Sequence, residues 1–317
     1  MSHKRQLGRT GIAISPLVFG GNVFGWTADK PTSFALLDRF VGAGFETVDT
    51  ADVYSAWKPG NSGGESETLI GEWMRARGNR DRMVIITKVG MQMAPDRKGL
   101  SAAWIERAVE DSLRRLQTDH IDVYLSHKFD PDTPHEETLA AYQKLIEAGK
   151  VRAIGASNFD ATQLHAALAA AEAHGLPRYE VLQPEYNLYD RNNYDNELRN
   201  LCMAEGLGVI TYYSLARGFL SGKYRGVADL GKSPRGGGIK GYLNERGFRI
   251  LQALDEVAAR LEAKPAEVAL AWLMARPEVT APIASATSLD QLESMIRAAS
   301  LALASEDLAA LDAASRY

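Results

Sequence analysis

Four ionisable side chains follow short apolar segments that have the character of β-strands. Asp49 and Tyr54 frame the run Asp-Thr-Ala-Asp-Val-Tyr, at the end of one segment, and Lys88 and His127 close the next two. If these strands are parallel neighbours in a barrel, their carboxyl ends meet at one mouth. The spacing therefore predicts a proton-donating site built from an aspartate, a tyrosine, a lysine and a histidine.

This combination of groups suits the reduction of a carbonyl. A carbonyl that receives hydride becomes an alkoxide, and a positioned phenol can supply the neutralising proton. Free tyrosine titrates near pH ~10, and a neighbouring ammonium favours the phenolate. We therefore expect Lys88 to lower the pKa of Tyr54 and Asp49 to hold Lys88 charged and oriented. His127 would orient the carbonyl or share in the proton relay.

Other chemistries explain these residues less well. Each of the four groups taken singly has an ordinary structural explanation, such as a turn cap, half-buried packing or a solvated charge. The six histidines are scattered along the chain, so no metal site is predicted. The spacing leaves open a glycosidase-type pair of carboxylates, but that chemistry gives Tyr54 and Lys88 no role.

The elements that must position these groups alternate along the whole chain. A hairpin is expected at 4–15, a first strand at 16–21 and a first helix at 33–43. Further strands are predicted at about 46–51, 83–88, 121–126, 151–156, 181–186, 208–213 and 280–285, separated by helices at about 66–77, 101–116, 135–148, 160–173, 192–204, 245–262 and 288–299.

Eight such units favour one closed (β/α)8 barrel, an α/β fold that makes residues 1–317 a single domain. The strands are nearly continuous apolar runs, as parallel strands covered on both faces require. An open doubly wound sheet is the alternative, but no Gly-x-Gly-x-x-Gly follows an early strand. Extra helices are expected at 264–275 and 305–315, on the outside of the barrel.

Composition sets limits on the possible partners. Hydrophobic residues make up 45% and charged residues 24% of 317 residues, as in an ordinary globular protein. The net charge of -4 argues against nucleic acid as the main partner. No apolar run approaches the ~20 residues of a membrane span, and no signal core follows the start, so a cytosolic protein is expected. The single cysteine, Cys202, reads as an inert core thiol.

A long loop at 216–244 interrupts the repeat and combines basic side chains with many glycines. Loops of this length are usually functional or disordered. One interpretation is a mobile, solvated connection. The other is a clamp over an anionic ligand such as a pyrophosphate, with Lys223 and Arg235 among the counter-charges.

Several motifs resemble those of the aldo-keto reductases, and in particular a bacterial branch that also resembles potassium-channel β subunits. They are Asp-Thr-Ala-x-x-Tyr at 49–54, Thr-Lys at 87–88, the strand end at His127, Gly-Ala-Ser-Asn-Phe at 155–159, Gln-Pro-Glu-Tyr-Asn at 183–187 and Ser-Leu-Ala-Arg-Gly at 214–218. The resemblance covers nearly the whole chain. It implies a barrel that binds NADPH across its C-terminal mouth, with NAD possible, and a small carbonyl substrate.

The resemblance also assigns roles to residues. Tyr54 would be the proton donor, tuned by Lys88 and Asp49. The nicotinamide carboxamide would be held by Ser157, Asn158 and Gln183, and its ring would stack on Tyr212 or, one position on, Tyr213. Other expected cofactor contacts are Ser214, Leu215, Ala216, Arg217, Gly218, Lys223, Arg235, Ser285, Thr287 and Gln291. Trp26, Trp57 and Phe129 form an aromatic set that would line the substrate pocket and fit planar or apolar carbonyls.

The chain departs from the family pattern at the adenosine end. The run at 283–291 contains no Lys or Arg, and Met295 stands where the family usually has an Asn. A 2′-phosphate is normally met by such a cation, so we expect NADP to be used with reduced discrimination against NAD. The alternative to an enzyme is a nucleotide-binding sensor module that regulates a partner, as the resemblance to channel β subunits allows.

Overall fold

The computed structural model describes residues 4–233 and 236–317, and a closed barrel of eight parallel strands stands at its centre. In order around the barrel these strands are β3 (Val18–Gly20), β4 (Thr47–Asp49), β5 (Val84–Val89), β6 (Ile121–Ser126), β7 (Val151–Ser157), β8 (Val181–Gln183), β9 (Gly208–Thr211) and β10 (Ala281–Ala284). β10 pairs with β3, which closes the ring. All residues of β5 and of β6 are buried, because helices cover the outer face and side chains fill the interior.

Ten α-helices lie in the described part of the chain. They are α1 (Lys30–Gly42), α2 (Glu65–Arg77), α3 (Ala102–Leu116), α4 (His135–Glu147), α5 (Ala161–His174), α6 (Glu197–Glu205), α7 (Glu245–Arg260), α8 (Pro265–Met274), α9 (Leu289–Ala298) and α10 (Ser305–Ala314). Short 3-10 turns lie at Gly21–Val23, Arg80–Arg82, Ala216–Ser221, Val227–Lys232 and Gly236–Tyr242. None of these helices combines the length and the apolar character that a membrane crossing requires.

The structure confirms the predicted barrel and moves some helix boundaries. α1 begins at Lys30, three residues before the predicted start, because the Asp29 carboxylate accepts a 3.0 Å hydrogen bond from the Thr32 N–H. Ser101 precedes α3 as expected but makes no capping hydrogen bond. The Glu137 carboxylate of α4 accepts from the first N–H of α3 instead, at 2.9 Å. A contact between helices thus replaces the local cap.

The helix predicted at 264–275, α8, is packed more deeply than an added surface helix. Every residue from Glu267 to Met274 is buried, and the helix packs against β10, α7 and α9. α10 packs on α7. The N-terminal turn of α8 is therefore held next to the C-terminal end of the barrel, where it takes part in the site described below.

A hairpin closes the opposite, N-terminal end of the barrel. It consists of β1 (Arg5–Gln6) and β2 (Ala13–Ile14), and its apolar side chains Leu7, Ile12 and Ile14 pack on residues of the barrel interior. Its turn touches the start of β9 so closely that a Cβ on Gly8 would lie 2.6 Å from the Gly208 nitrogen. The hairpin therefore requires glycine at both contacting positions.

Candidate active site

The carboxyl ends of β4, β5 and β6 bring the four predicted ionisable groups together. Asp49 is the last residue of β4, Lys88 lies one residue before the end of β5, and His127 follows β6 directly. Tyr54 lies in the loop after β4 and reaches back over the end of that strand. The convergence follows from the parallel barrel, in which successive strands end at the same face.

Lys88 is the centre of this group. Its side chain is fully buried, and its ammonium donates to Asp49 Oδ2 at 2.8 Å, to the Thr50 carbonyl at 2.7 Å and to the Tyr54 hydroxyl oxygen at 3.0 Å. An ammonium has three N–H donors, and each has an acceptor here. The position of the Lys88 ammonium is therefore fixed from three directions.

Asp49 accepts from further donors. The Gln183 amide nitrogen donates to Oδ1 at 2.8 Å, whereas the Tyr54 hydroxyl lies 3.3 Å from Oδ2. The latter distance is long for a hydrogen bond between a hydroxyl and a carboxylate. The phenol is therefore held in place chiefly by accepting from Lys88, and its own proton is only weakly engaged.

A lowered pKa of Tyr54 was expected from Lys88, but in this structure other influences outweigh the ammonium and the pKa is raised. Burial is the largest influence and, with the negative charge of Asp49, holds the pKa of Tyr54 well above its usual value. Burial also lowers the pKa of Lys88, while the Asp49 carboxylate opposes that change. Tyr54 consequently carries its proton across the physiological range, the state that a proton donor needs.

His127 faces Tyr54 across the mouth, with 6.0 Å between the ring centroids. Burial and the neighbouring charges of Lys88 and Lys128 lower the pKa of His127 well below its usual value, so the imidazole is neutral at pH 7. Within the described residues its Nδ1 is buried and has no hydrogen-bond partner. A neutral imidazole offers one donor and one acceptor, so the ring can still donate to a carbonyl oxygen.

These groups open into a cavity of about 970 Å³. Its lining includes Asp49, Tyr54 and His127 and residues from the starts of α8 and α9. Most predicted contact residues line it, namely Trp57, Ser157, Asn158, Gln183, Tyr212, Ser214, Leu215, Arg217, Gly218, Lys223, Ser285, Thr287 and Gln291. The volume lies within the range of small-molecule and cofactor pockets.

The three residues predicted to hold a carboxamide form a connected network beside His127. The Ser157 hydroxyl donates to the Gln183 carbonyl at 2.9 Å, and the Asn158 amide donates to the His127 carbonyl at 2.8 Å. The Tyr212 hydroxyl donates to the Asn158 side-chain oxygen at 2.6 Å. Tyr213 instead stacks with Arg217, whose guanidinium lies 4.6 Å from the ring centroid. Tyr212 is therefore the tyrosine joined to this network.

The segment after β9 has an unusual backbone. Tyr213, Ala216 and Arg217 have φ values of 50°, 46° and 59°, in the left-handed region that residues other than glycine rarely adopt. Ser214 is tied to the same turn by donating to the Thr211 carbonyl at 3.0 Å. Such strained conformations are typical of ligand clamps. Ala216 itself is buried below the cavity wall.

The polar side chains of the turn after β10 are hydrogen-bonded to other groups of the protein. The Ser285 hydroxyl donates to the Asn22 side-chain oxygen at 2.6 Å. Gln291 Oε1 accepts from both the N–H and the hydroxyl of Thr287, at 2.9 and 3.2 Å. The polar groups that were expected to hold the cofactor here thus already have partners: Thr287 and Gln291 pair with each other, and Ser285 pairs with Asn22.

Some predicted contacts lie elsewhere. Phe129 does not line the cavity, because its ring packs against His135 and Phe159, with centroids 5.6 and 5.7 Å away. Trp26 packs edge-on against Trp57, with 5.6 Å between centroids, and supports the wall from behind. Arg235 lies outside the described residues.

Sequence reasoning assigned no role in this cavity to several residues that line it, among them Asn22, Lys264 and Asp290, and it gave Lys232 only as one of the cations of the long loop. Asn22 lies in the turn after β3, and Lys264 and Asp290 lie at the starts of α8 and α9. The available signal was Pro265, which marks the start of a helix directly after Lys264. That signal does not reveal which end faces the ligand.

Comparison with known proteins places the chain in a family. Residues 16–316 match the family described as the aldo/keto reductase family. The chain belongs to this family and is an NAD(P)H-dependent oxidoreductase that acts on carbonyl compounds.

Individual relatives cover most of the chain. It is 35% identical to the uncharacterized oxidoreductase YrpG of Bacillus subtilis (strain 168), over 96% of this chain and 94% of that protein. It is 32% identical to the norsolorinic acid reductase stcV of Emericella nidulans, over 94% and 77%. It is also 33% identical to a probable voltage-gated potassium channel subunit beta of Oryza sativa subsp. japonica, over 93% and 90%.

Proposed function

We propose that this chain reduces aldehydes or ketones to alcohols with NADPH, and that Tyr54 is the general acid. One observation carries the proposal: a buried ammonium with all three donors engaged holds a protonated phenol at the floor of an open cavity. A positioned acid of this kind typically contributes 10²–10⁴-fold to the rate. The neutral His127 beside it offers a second donor for the same oxygen.

The cavity wall suits a nicotinamide dinucleotide. Ser157, Asn158 and Gln183 supply amide and hydroxyl groups for the carboxamide, and Lys223 supplies a positive charge for the phosphates. Such a cofactor supplies the hydride when bound. The left-handed backbone at Ala216 and Arg217 supports a role of this turn as the clamp around the phosphates.

The proton step can be assigned to atoms of this chain. The Tyr54 hydroxyl would give its proton to the developing alkoxide oxygen, leaving a phenolate. The Lys88 ammonium, 3.0 Å from the phenol oxygen, would stabilise that phenolate. Asp49 keeps the ammonium in place and so acts on the phenol through Lys88. His127 would donate to the same substrate oxygen and orient the carbonyl.

The aromatic side chain at the cavity mouth favours planar or apolar carbonyl compounds as substrates. The side of Trp57 that is not covered by Trp26 is open, since Trp57 is 48% exposed, and its ring centroid lies 6.0 Å from that of Tyr54. Exposed tryptophan beside a buried donor is typical of a ligand-binding wall. Phe129 is not part of this proposal, because its ring lies outside the cavity.

The test is the consumption of NADPH or NADH with a panel of aromatic and aliphatic aldehydes. Tyr54→Phe should lose turnover by about 10²–10⁴-fold while its affinity for the cofactor stays within about twofold. Tyr213→Phe is the matched control, because Tyr213 also lines the cavity but lies outside the Lys88 network. Equal turnover in Tyr54→Phe and the wild type would refute the assignment of the acid.

A second candidate function is a nucleotide-sensing module, favoured by the similarity to a channel β subunit. Tight cofactor binding without turnover on any carbonyl would support it over the reductase. The cytosolic location stays a prediction from the sequence.

A further inference from the structure

The adenosine end of the cavity is bordered by the starts of two helices. Lys264, Ala266 and Leu270 line it from the α8 side, and Asp290 and Met295 line it from α9. Leu270 and Met295 are apolar and buried, which suits the flat face of a base. Among the described residues of α8, α9 and their starts, the charged side chains that line the cavity are therefore those of Lys264 and Asp290.

The other lysines and arginines that line the cavity in the described part of the chain have protein partners of their own. The Arg217 guanidinium stacks on Tyr213, and the Lys232 ammonium pairs with Asp229 at 2.7 Å. Lys223 lies over the ring of Tyr224, with 5.1 Å between its ammonium and the centroid. Within the described residues, no hydrogen bond or ion pair engages the ammonium of Lys264. It is exposed and available to a ligand.

The segment that follows β9 packs against the start of α8 and so fixes where Lys264 lies along the cavity. Gly222 follows the strained turn after β9, and a Cβ added to it would lie 3.2 Å from Pro265 Cγ. Lys264 therefore begins beside the segment that would carry the pyrophosphate. Leu270 and Met295 line the same cavity from further along α8 and α9, and we assign them to the base. The position between a pyrophosphate and an adenine is that of the adenosine ribose.

We infer that Lys264 and Asp290 together set the choice between NADPH and NADH: the lysine attracts the 2′-phosphate and the aspartate repels it. This inference rests on the proposed function. A phosphate monoester carries a charge of about −1.5 to −2 at pH 7, so one unpaired ammonium and one carboxylate at the same end act on it in opposite directions. The turn at 283–291, without Lys or Arg and with Thr287 tied to Gln291, adds no cation.

The experiment measures binding of two fragments by calorimetry: adenosine 2′,5′-bisphosphate and adenosine 5′-monophosphate, which differ only in the 2′-phosphate. Lys264→Met should weaken bisphosphate binding about tenfold and change monophosphate binding by less than about twofold. Asp290→Asn should strengthen bisphosphate binding about threefold and leave the monophosphate unchanged. Neither measurement depends on turnover.

Lys240→Met is the matched control, because Lys240 is also an exposed lysine, lies in the basic loop at 216–244 and does not line the cavity. It should leave both affinities unchanged. Thermal midpoints equal to that of the wild type show that the variants are folded. An unchanged bisphosphate affinity in Lys264→Met, or an equal loss for both fragments, would overturn the inference. A wild type that binds neither fragment would instead overturn the nucleotide site and with it the proposed function.

Discussion

Asp49, at the end of β4, and Asp52, three residues later, are both 1% exposed, but their surroundings are opposite. Asp49 faces the barrel interior and accepts from Lys88, Gln183 and Tyr54. In the described structure, both carboxylate oxygens of Asp52 are buried without a hydrogen-bond partner. Burial is thus the same for both side chains, and only the donors around them differ.

Asp52 lies on the other side of the barrel wall, towards the helices. Its charged neighbours there are Glu67 of α2 and Arg115 of α3, and these two already pair with each other at 2.7 Å. Burial, followed by the negative charge of Glu67, raises the pKa of Asp52 well above its usual value. The comparison teaches that a buried carboxylate is charged where donors are built around it and keeps a proton where they are not.

The largest expected effect is the loss of stability when Asp49 loses its ammonium partner. Lys88→Met leaves the buried Asp49 carboxylate without its ammonium, so the free energy of unfolding should fall by about 3–5 kcal/mol, and turnover should be lost. Urea denaturation at pH 7 measures the first and cofactor consumption the second.

The double variant Lys88→Met with Asp49→Asn is the control for that prediction. It removes both charges and should recover most of the lost stability but none of the turnover. If the single and the double variant are equally stable, Asp49 is not held as a charged partner of Lys88 and the contrast with Asp52 fails.

A smaller effect, an increase in the free energy of unfolding, is expected for Asp52→Asn. A raised pKa means that the folded protein binds the proton more tightly than the unfolded chain. The contribution of Asp52 to the free energy of unfolding is therefore full below about pH 4 and is lost as the pH rises. Since asparagine has no such loss, the variant should exceed the wild type by about 1–2 kcal/mol at pH 8 and lose this advantage at pH 4.

The matched control is Asp122→Asn, since Asp122 is also 1% exposed but accepts from Arg80 and Arg152, at 2.9 and 2.6 Å. Asp122→Asn should be less stable than the wild type at both pH values. A loss of stability in Asp52→Asn at pH 8 as large as that of Asp122→Asn would show that Asp52 is charged in the folded protein.

The smallest effect concerns His127, whose pKa is lowered by burial and by Lys88. The unfolded chain then binds the proton more tightly, so the free energy of unfolding should fall as the pH drops below about 6.5. His127→Gln removes this loss, which should be under about 1 kcal/mol for a partly exposed ring. Urea titrations of both proteins at pH 7.5 and 5.5 measure the difference. A wild type and variant with parallel pH dependence would mean that His127 titrates normally.

The barrel and the meeting of the four ionisable groups could be predicted from the sequence, because alternating apolar segments and helices define the strands and parallel strands end at one face. The direction of the pKa shift of Tyr54 could not. It depends on how completely the phenol is buried and on its distance from Asp49, and neither follows from spacing. Phe129 was misplaced for a related reason: a loop residue near a strand end can turn towards the helices as readily as towards the cavity.

The position of Lys264 in the cavity wall was equally beyond sequence reasoning. A lysine before Pro265 reads as an exposed helix start, and its role depends on which end of α8 faces the mouth. That orientation results from the packing of α8 between α7, α9 and β10. The meeting of side chains near strand ends could therefore be predicted, whereas contacts set by helix packing could not.

The pairing of β10 with β3 has a consequence for synthesis and folding. It joins Val18 to Ile283, so the first barrel strand made on the ribosome keeps an open edge until nearly the whole chain has been translated. Contacts between such distant residues slow folding and leave unpaired edges exposed to aggregation in the meantime. Ile283 and Ser285 also form part of the cavity wall. A ligand that spans this wall would therefore favour the closed ring over its late precursors, and adding one during refolding would raise the yield.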